Sequence, residues 1–148
     1  HYLRLLETLL GPVRRVRLDA ARRPIAEMEG ESEFELSLEM RDAATAALEV
    51  SWARDWDRSI PTLRIEGTEG SLAYILDAPG ILWSGNGRSE TLPVETADPL
   101  GRRALVRHFL AVVRGEAEPA VGAAEGLRDL RVVEAAYRSL EKGGWEEP

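Results

Sequence analysis

Chemistry in this sequence has few places to reside. His1 and His108 are its only two histidines, and it contains no cysteine. Neither histidine has a carboxylate at i+3 or i+4, and thiolates are absent, so no metal set emerges. Disulfides and cysteine nucleophiles are excluded together. There is no Walker A string, no Gly-x-Gly-x-x-Gly between strand and helix and no Gly-x-Ser-x-Gly elbow. His1 is the residue with a mechanistic argument. An imidazole at a helix N-terminus sits in the positive end of the macrodipole, which disfavours its protonated form and equips it as a general base. The competing reading makes His1 a residue of an appended tag. Trp52, Arg54 and Trp56 follow a strand, where two indoles beside a guanidinium suit a sugar or polyol by stacking and hydrogen bonding. Ordinary packing at a rim is the alternative for the two rings.

The remaining polar clusters read as surface. His108 stands beside Phe109 and reads as a structural or boundary histidine. Glu33, Glu35 and Glu39 fall at alternate positions of a strand, which points to a solvated face rather than a glycosidase-like acid pair. The arginines at 14, 15, 17, 22 and 23 form the only basic cluster, and offsetting neighbouring acidic strands accounts for it better than anion binding.

Hydrophobic periodicity defines the elements that must position these groups. Leu3, Leu6 and Leu10 recur at helical spacing, and Gly11-Pro12 ends the run. From Val13 the period becomes two. Val16, Leu18 and Ala20 alternate with arginines and Asp19; Phe34, Leu36, Leu38 and Met40 alternate with polar residues; so do Ala46, Leu48, Val50 and Trp52. These predict antiparallel strands with one buried face, the second and third joined by a short hairpin at 42–45. Further strands are expected at Thr62–Glu66, Ser71–Leu76, Ile81–Ser84 and Glu90–Glu95, with Ser71–Leu76 central or covered twice because both its faces are fairly apolar. Helical spacing returns in Leu105, Phe109, Val112 and Val113, and again in Leu127, Leu130, Val133, Tyr137 and Leu140, closed by Lys142-Gly143-Gly144. The tail from Trp145 either adds an edge strand or frays. The expected fold is α+β: a mostly antiparallel open sheet of about seven strands, preceded by one helix, followed by two, and backed by them.

Size and charge set limits on function. The chain has 148 residues, 44% hydrophobic, with 19 Lys+Arg against 26 Asp+Glu for a net charge of −7. That composition fits one packed domain. Its acidity argues against broad affinity for nucleic acid. No apolar run reaches the ~20 residues that cross a bilayer, and no membrane partner is expected. The absence of cysteine fits the cytoplasm. The chain opens on a helix already under way, so it reads as cut from something larger.

Several strings then fall into a familiar order. Leu63-Arg64-Ile65-Glu66-Gly67-Thr68-Glu69-Gly70-Ser71-Leu72, His108-Phe109-Leu110 with Arg114-Gly115-Glu116 and Glu118-Pro119, and Gly126–Ser139 followed by Gly143 together resemble the glucose–fructose oxidoreductase/inositol dehydrogenase/MocA family. The match runs in order over essentially the whole chain. The resemblance implies that residues 1–148 are a single C-terminal substrate and oligomerisation domain, with an N-terminal Rossmann domain lying outside this sequence. His1-Tyr2-Leu3 is similar to the histidine and helix with which the family enters this domain, which favours the native reading of His1; the family's preceding aspartate falls before residue 1. The intact parent is then expected to transfer hydride between NAD or NADP and a sugar or polyol hydroxyl, His1 taking the hydroxyl proton. This chain alone is expected to bind no coenzyme and to be inactive. Members often associate through the sheet; here that face carries Arg15, Arg17, Glu35, Glu39, Arg41 and Glu49, so a homo-oligomer would be polar and charge-paired. The alternative is a stand-alone α+β binding or dimerisation module without redox chemistry.

Overall fold

A computed structural model describes residues 1–27, 29–53, 60–76, 78, 80–94, 98 and 101–148. The opening leucine stripe forms helix α1 (Tyr2–Leu10), with Leu6 and Glu7 buried. Gly11 ends it at φ 83, a left-handed value that glycine adopts without a Cβ penalty, and returns its N–H to the Glu7 carbonyl. The three alternating segments become β1 (Val13–Arg22), β2 (Glu33–Met40) and β3 (Thr45–Ser51). They pair antiparallel in the order β1-β2-β3. The connection at 42–45 is the expected tight hairpin, with Met40 N–H bonded to the Ala44 carbonyl at 2.8 Å and Ala43 at φ 66.

Residues His1–Arg54 and Pro119–Pro148 form one compact unit. Its closing helix, α3 (Ala123–Lys142), packs along β1. Val16, Leu38, Met40, Val132 and Ala135 are all but fully buried between sheet and helices. Here the structure departs from the periodicity reading. The buried stripe of α3 is Val132, Ala135, Ala136 and Ser139, whereas Leu127, Leu130 and Leu140 remain exposed. Small side chains let the helix backbone approach the strand closely, which the leucines would prevent. Closeness is used chemically as well. β1 is an edge strand of its sheet, so alternate N–H groups along it face away from β2 and have no strand partner there. The Leu18 N–H is bonded instead to Ser139 Oγ at 2.7 Å, which itself donates to the Ala136 carbonyl. The C-terminal tail adds a single antiparallel bridge to β1, Val16 with Glu146, realising the edge-strand expectation in its shortest form.

Residues Asp55–Glu118 form a second compact unit. It holds β4 (Leu63–Gly67), β5 (Gly70–Tyr74), β6 (Gly80–Gly85) and β7 (Arg88–Pro93), a four-stranded antiparallel meander, and helix α2 (Arg102–Val113). β5 is internal to this sheet, as its two apolar faces imply. Gly70 is at φ +153, and a Cβ there would lie 2.4 Å from the Ser84 carbonyl oxygen, so only glycine fits the β4–β5 turn. Asn86-Gly87, both at positive φ, make the two-residue β6–β7 hairpin. The seven expected strands and three helices are thus all present, the strands divided between a three-stranded and a four-stranded sheet. Among the described residues, no helix is long and apolar enough to cross a membrane.

Candidate functional site

Two of the four residues singled out by chemistry line one cavity of the first unit. His1 and Trp52 stand on a depression of about 360 Å³, a volume at the lower end of small-molecule sites. Leu18, Leu36, Leu48 and Val50 from the sheet and Val132, Val133 and Ala136 from α3 give it an apolar floor and wall. Tyr2, Phe34 and Tyr137 add aromatic surface, and Glu31 adds a carboxylate. Arg54 and Trp56 lie outside the described residues.

Each rim residue is placed by its element. His1 is the N-cap of α1: its carbonyl accepts the Leu5 N–H at 3.0 Å, while its side chain makes no capping hydrogen bond and is exposed. Trp52 follows β3 directly and is 76% exposed, although its backbone N–H is fixed to the Ser32 carbonyl at 2.9 Å. An indole held by its backbone with its ring in solvent is an available stacking platform. Glu31 lies just before β2, and its carboxylate accepts a hydrogen bond from the Tyr137 hydroxyl of α3. That bond, reinforced by desolvation and by the carboxylate's charge, raises the phenol pKa above its ordinary value, with Arg23 opposing.

The helix carrying His1 is anchored to α3 by an ion cluster that spacing did not reveal. Arg4 grips Asp129 with both ends of its guanidinium, at 3.1 and 2.5 Å, and donates to the Glu125 carbonyl at 2.9 Å. The same guanidinium lies 3.0 Å from the buried Glu7, whose other oxygen accepts the Val13 N–H at 3.0 Å. The Asp129 hydrogen bond is the main cause of the raised Arg4 pKa. Arg4 and Asp129 are 125 positions apart, as Glu31 and Tyr137 are 106 apart, so no local signal marks either pair.

On the opposite face of this sheet, charges are paired within the chain. Arg15 binds both oxygens of Glu39 at 2.7 and 2.6 Å, and the Trp145 ring lies 4.9 and 5.1 Å from the Arg15 and Arg17 guanidiniums. Of the five clustered arginines, Arg15, Arg17 and Arg22 pair with nearby carboxylates. Among the described residues, no group of three or more His, Asp or Glu is placed to hold a metal ion.

The sequence matches, over residues 1–147, the profile of the oxidoreductase family's C-terminal alpha/beta domain, the glucose–fructose oxidoreductase/inositol dehydrogenase/MocA group. The chain belongs to that family. Solved structures agree. A protein assigned as an NADPH-dependent oxidoreductase from Desulfitobacterium hafniense is 27% identical, with a TM-score of 0.83 over 99% of this chain and 45% of its own. An oxidoreductase from Agrobacterium radiobacter, solved with NAD+, L-tartaric acid and magnesium, gives 0.77 at 21% identity, covering 99% of this chain and 46% of its own. The aldose-aldose oxidoreductase of Caulobacter crescentus, complexed with glycerol, gives 0.75 at 24%, covering 99% and 44%. The last two likenesses show the fold alone. No curated protein matches the sequence. The chain spans less than half the length of these three structures.

Among the described residues the chain shows no strand–helix unit of the kind that ordinarily receives a dinucleotide. Among the described residues every strand pair is antiparallel. Pyrophosphate is ordinarily received at the N-terminus of a helix that follows a parallel strand. Here the first turn of α2 is met by Asp98, which accepts the Ala104 N–H at 2.8 Å, and that of α3 by Glu125, which accepts the Gly122 N–H at 2.9 Å. The chain's own carboxylates already occupy those two positive ends.

Proposed function

We propose that residues 1–148 act as the substrate-facing C-terminal domain of a cytoplasmic enzyme that oxidises a sugar or polyol hydroxyl, with NAD or NADP held by another part of the protein. The observation that carries this reading is the convergence of His1 and Trp52 on one cavity in a chain of this oxidoreductase family. The coenzyme, when bound there, supplies the hydride acceptor. This chain's own contribution is the proton: the exposed His1 imidazole at the cavity rim takes it from the substrate hydroxyl, while Trp52 stacks on the carbon face of the substrate. The apolar floor excludes water from the reacting carbon. Arg54 and Trp56 are proposed as further substrate-binding residues. By the same reading the isolated chain is inactive and binds no coenzyme, and the polar face bearing Arg15, Arg17, Glu35, Glu39, Arg41 and Glu49 serves a homo-oligomer.

The test is turnover by the full-length protein that carries this chain. Reduction of NAD(P)+ with a polyol panel is expected, with log kcat/KM rising with pH along a limb of unit slope. His1→Asn is expected to lower kcat by about 10²–10⁴-fold and remove that limb. Turnover unaffected by this substitution rules out His1 as the proton acceptor.

A further inference from the structure

β1 is an outer strand of its sheet, and an uncovered outer strand is a template for any other extended chain. Three of its N–H groups are bonded outside the sheet, each to a different element. The Val13 N–H goes to the Glu7 carboxylate of α1 at 3.0 Å, and the Leu18 N–H to Ser139 Oγ of α3 at 2.7 Å. Between them Val16 is met by backbone. Its N–H bonds to the Glu146 carbonyl at 2.8 Å, and its own carbonyl accepts the Glu146 N–H at 2.9 Å. We propose that residues 145–147 are an edge guard, a short backbone seal that denies β1 to a strand of another molecule. The guard is independent of the oligomer proposed on the polar face, which it leaves in place.

The seal is held at both ends. Gly143, at φ 75, turns the chain off α3 and returns its N–H to the Ser139 carbonyl at 2.8 Å. The tail then meets β1 antiparallel. The Trp145 ring lies over Arg15 and Arg17, their guanidinium carbons 4.9 and 5.1 Å from its centre. The Glu146 carboxylate accepts a hydrogen bond from Lys142 Nζ at 2.8 Å, and Arg138 donates to the Glu147 carbonyl at 2.9 Å. Ion pairs between exposed side chains contribute little each and weaken with salt, so the paired backbone at Val16 is the part that excludes a competitor. Side-chain seals at Val13 and Leu18 flank this backbone seal. A foreign strand that took the Val16 pair would stand in register to compete with the Ser139 hydroxyl two residues further on. Lifting the tail therefore opens the edge where strand pairing can begin.

The test compares the full-length protein with two variants. Glu146→Pro lacks the N–H that closes the bridge, whereas Glu146→Gln keeps that N–H and loses only the charge. In Glu146→Pro, hydrogen exchange of a β1 peptide read by mass spectrometry is expected to quicken about ten-fold while β2 stays protected. Light scattering is expected to show species larger than those of the unsubstituted protein, growing with concentration. Glu146→Gln is expected to match the unsubstituted protein in both measurements. Where Glu146→Pro loosens β2 as well, Trp145→Ala, which removes the ring from Arg15 and Arg17 and leaves the backbone intact, is judged by the same two readouts. Exchange of β1 that quickens without added association overturns the inference, since the tail then covers the edge without guarding it. Unchanged β1 protection in Glu146→Pro overturns it too, as does Glu146→Gln behaving like Glu146→Pro.

Discussion

Replacing Ser139 with alanine isolates one bond between the last helix and the first strand. Ser139 is 1% exposed and Leu18 is 7% exposed. The substitution removes a single oxygen, so it leaves little cavity and no route for water. What it removes is the acceptor of the Leu18 N–H, a donor on the edge of β1 that faces away from β2. A buried donor without a partner costs about 1–3 kcal/mol. The second bond of Ser139, to the Ala136 carbonyl, weighs less because that carbonyl also lies within the helix ladder. A loss of about 2 kcal/mol corresponds to roughly 4–8 °C in Tm for a chain of this size. Urea unfolding should show a lower midpoint with an unchanged slope, and the Leu18 amide should exchange faster than its neighbours in β1. A Tm within about 1 °C of the unsubstituted chain, with Leu18 still protected, would refute the reasoning.

Three further outcomes are expected. Gly70→Ala should destabilise by at least about 2 kcal/mol, because a Cβ at 2.4 Å from a backbone oxygen adds to an unfavourable φ; thermal unfolding checks it, and a neutral result sinks the steric account. Arg4→Met should cost about 2–4 kcal/mol by leaving the buried Glu7 without its cation, and Glu7→Gln in the same chain should recover part of the loss; simple additivity of the two in a denaturation cycle argues against the cluster. Acid should destabilise the fold. Glu39 is held below the ordinary carboxylate range by Arg15, Glu125 by the Gly122 N–H, and Glu146 by Lys142. Depressed folded-state values mean that this stabilisation is complete above the unfolded pKa of about 4.3 and is lost as pH falls through the folded values. Glu39→Gln should flatten the fall, and a Tm indifferent to pH between neutral and about 3 would contradict it.

How much of this was legible depended on range along the chain. Alternation of Phe34, Leu36, Leu38 and Met40 marks the buried face of β2 because side-chain direction in a strand is a local property. Gly11, Asn86-Gly87 and Gly143 mark their turns and caps for the same reason: each requires a positive φ. The buried face of α3 was not legible from apolar size. Leucines offered the stronger stripe, but burial went to alanines and Ser139, since the proximity of β1, rather than hydrophobicity, decided which face fits. Of the candidate site, His1 and Trp52, which line the cavity, stand out through residue type and the ends of their elements. Glu31, Tyr137, Arg4 and Glu7 do not, because acids, arginines and tyrosines are common on any surface and acquire meaning only through partners more than a hundred positions away or through burial.

That long range is itself informative about how the cavity is held. One rim comes from the first residues of the chain, another from the start of β2 and the end of β3, and a third from the last helix. Nothing in the sheet hydrogen bonding fixes α1, whose own ladder ends at Gly11. The connection is the Arg4 guanidinium, bidentate to Asp129 in α3, together with Glu7, which reaches the Val13 N–H at the head of β1. Arg4 lies three residues from His1, on the turn that follows it, so a displacement of that clamp displaces the helix start that carries the imidazole. The Glu31–Tyr137 pair meanwhile draws the segment before β2 onto the same α3. Both rims are therefore referenced to one helix, whose close seat on β1 depends on Ala135, Ala136 and Ser139. A cavity assembled in this way keeps the spacing of its rims only while α3 remains seated. Loosening of α3, as in Ser139→Ala, is accordingly expected to speed amide exchange in α1 and in the segment before β2 before it abolishes folding.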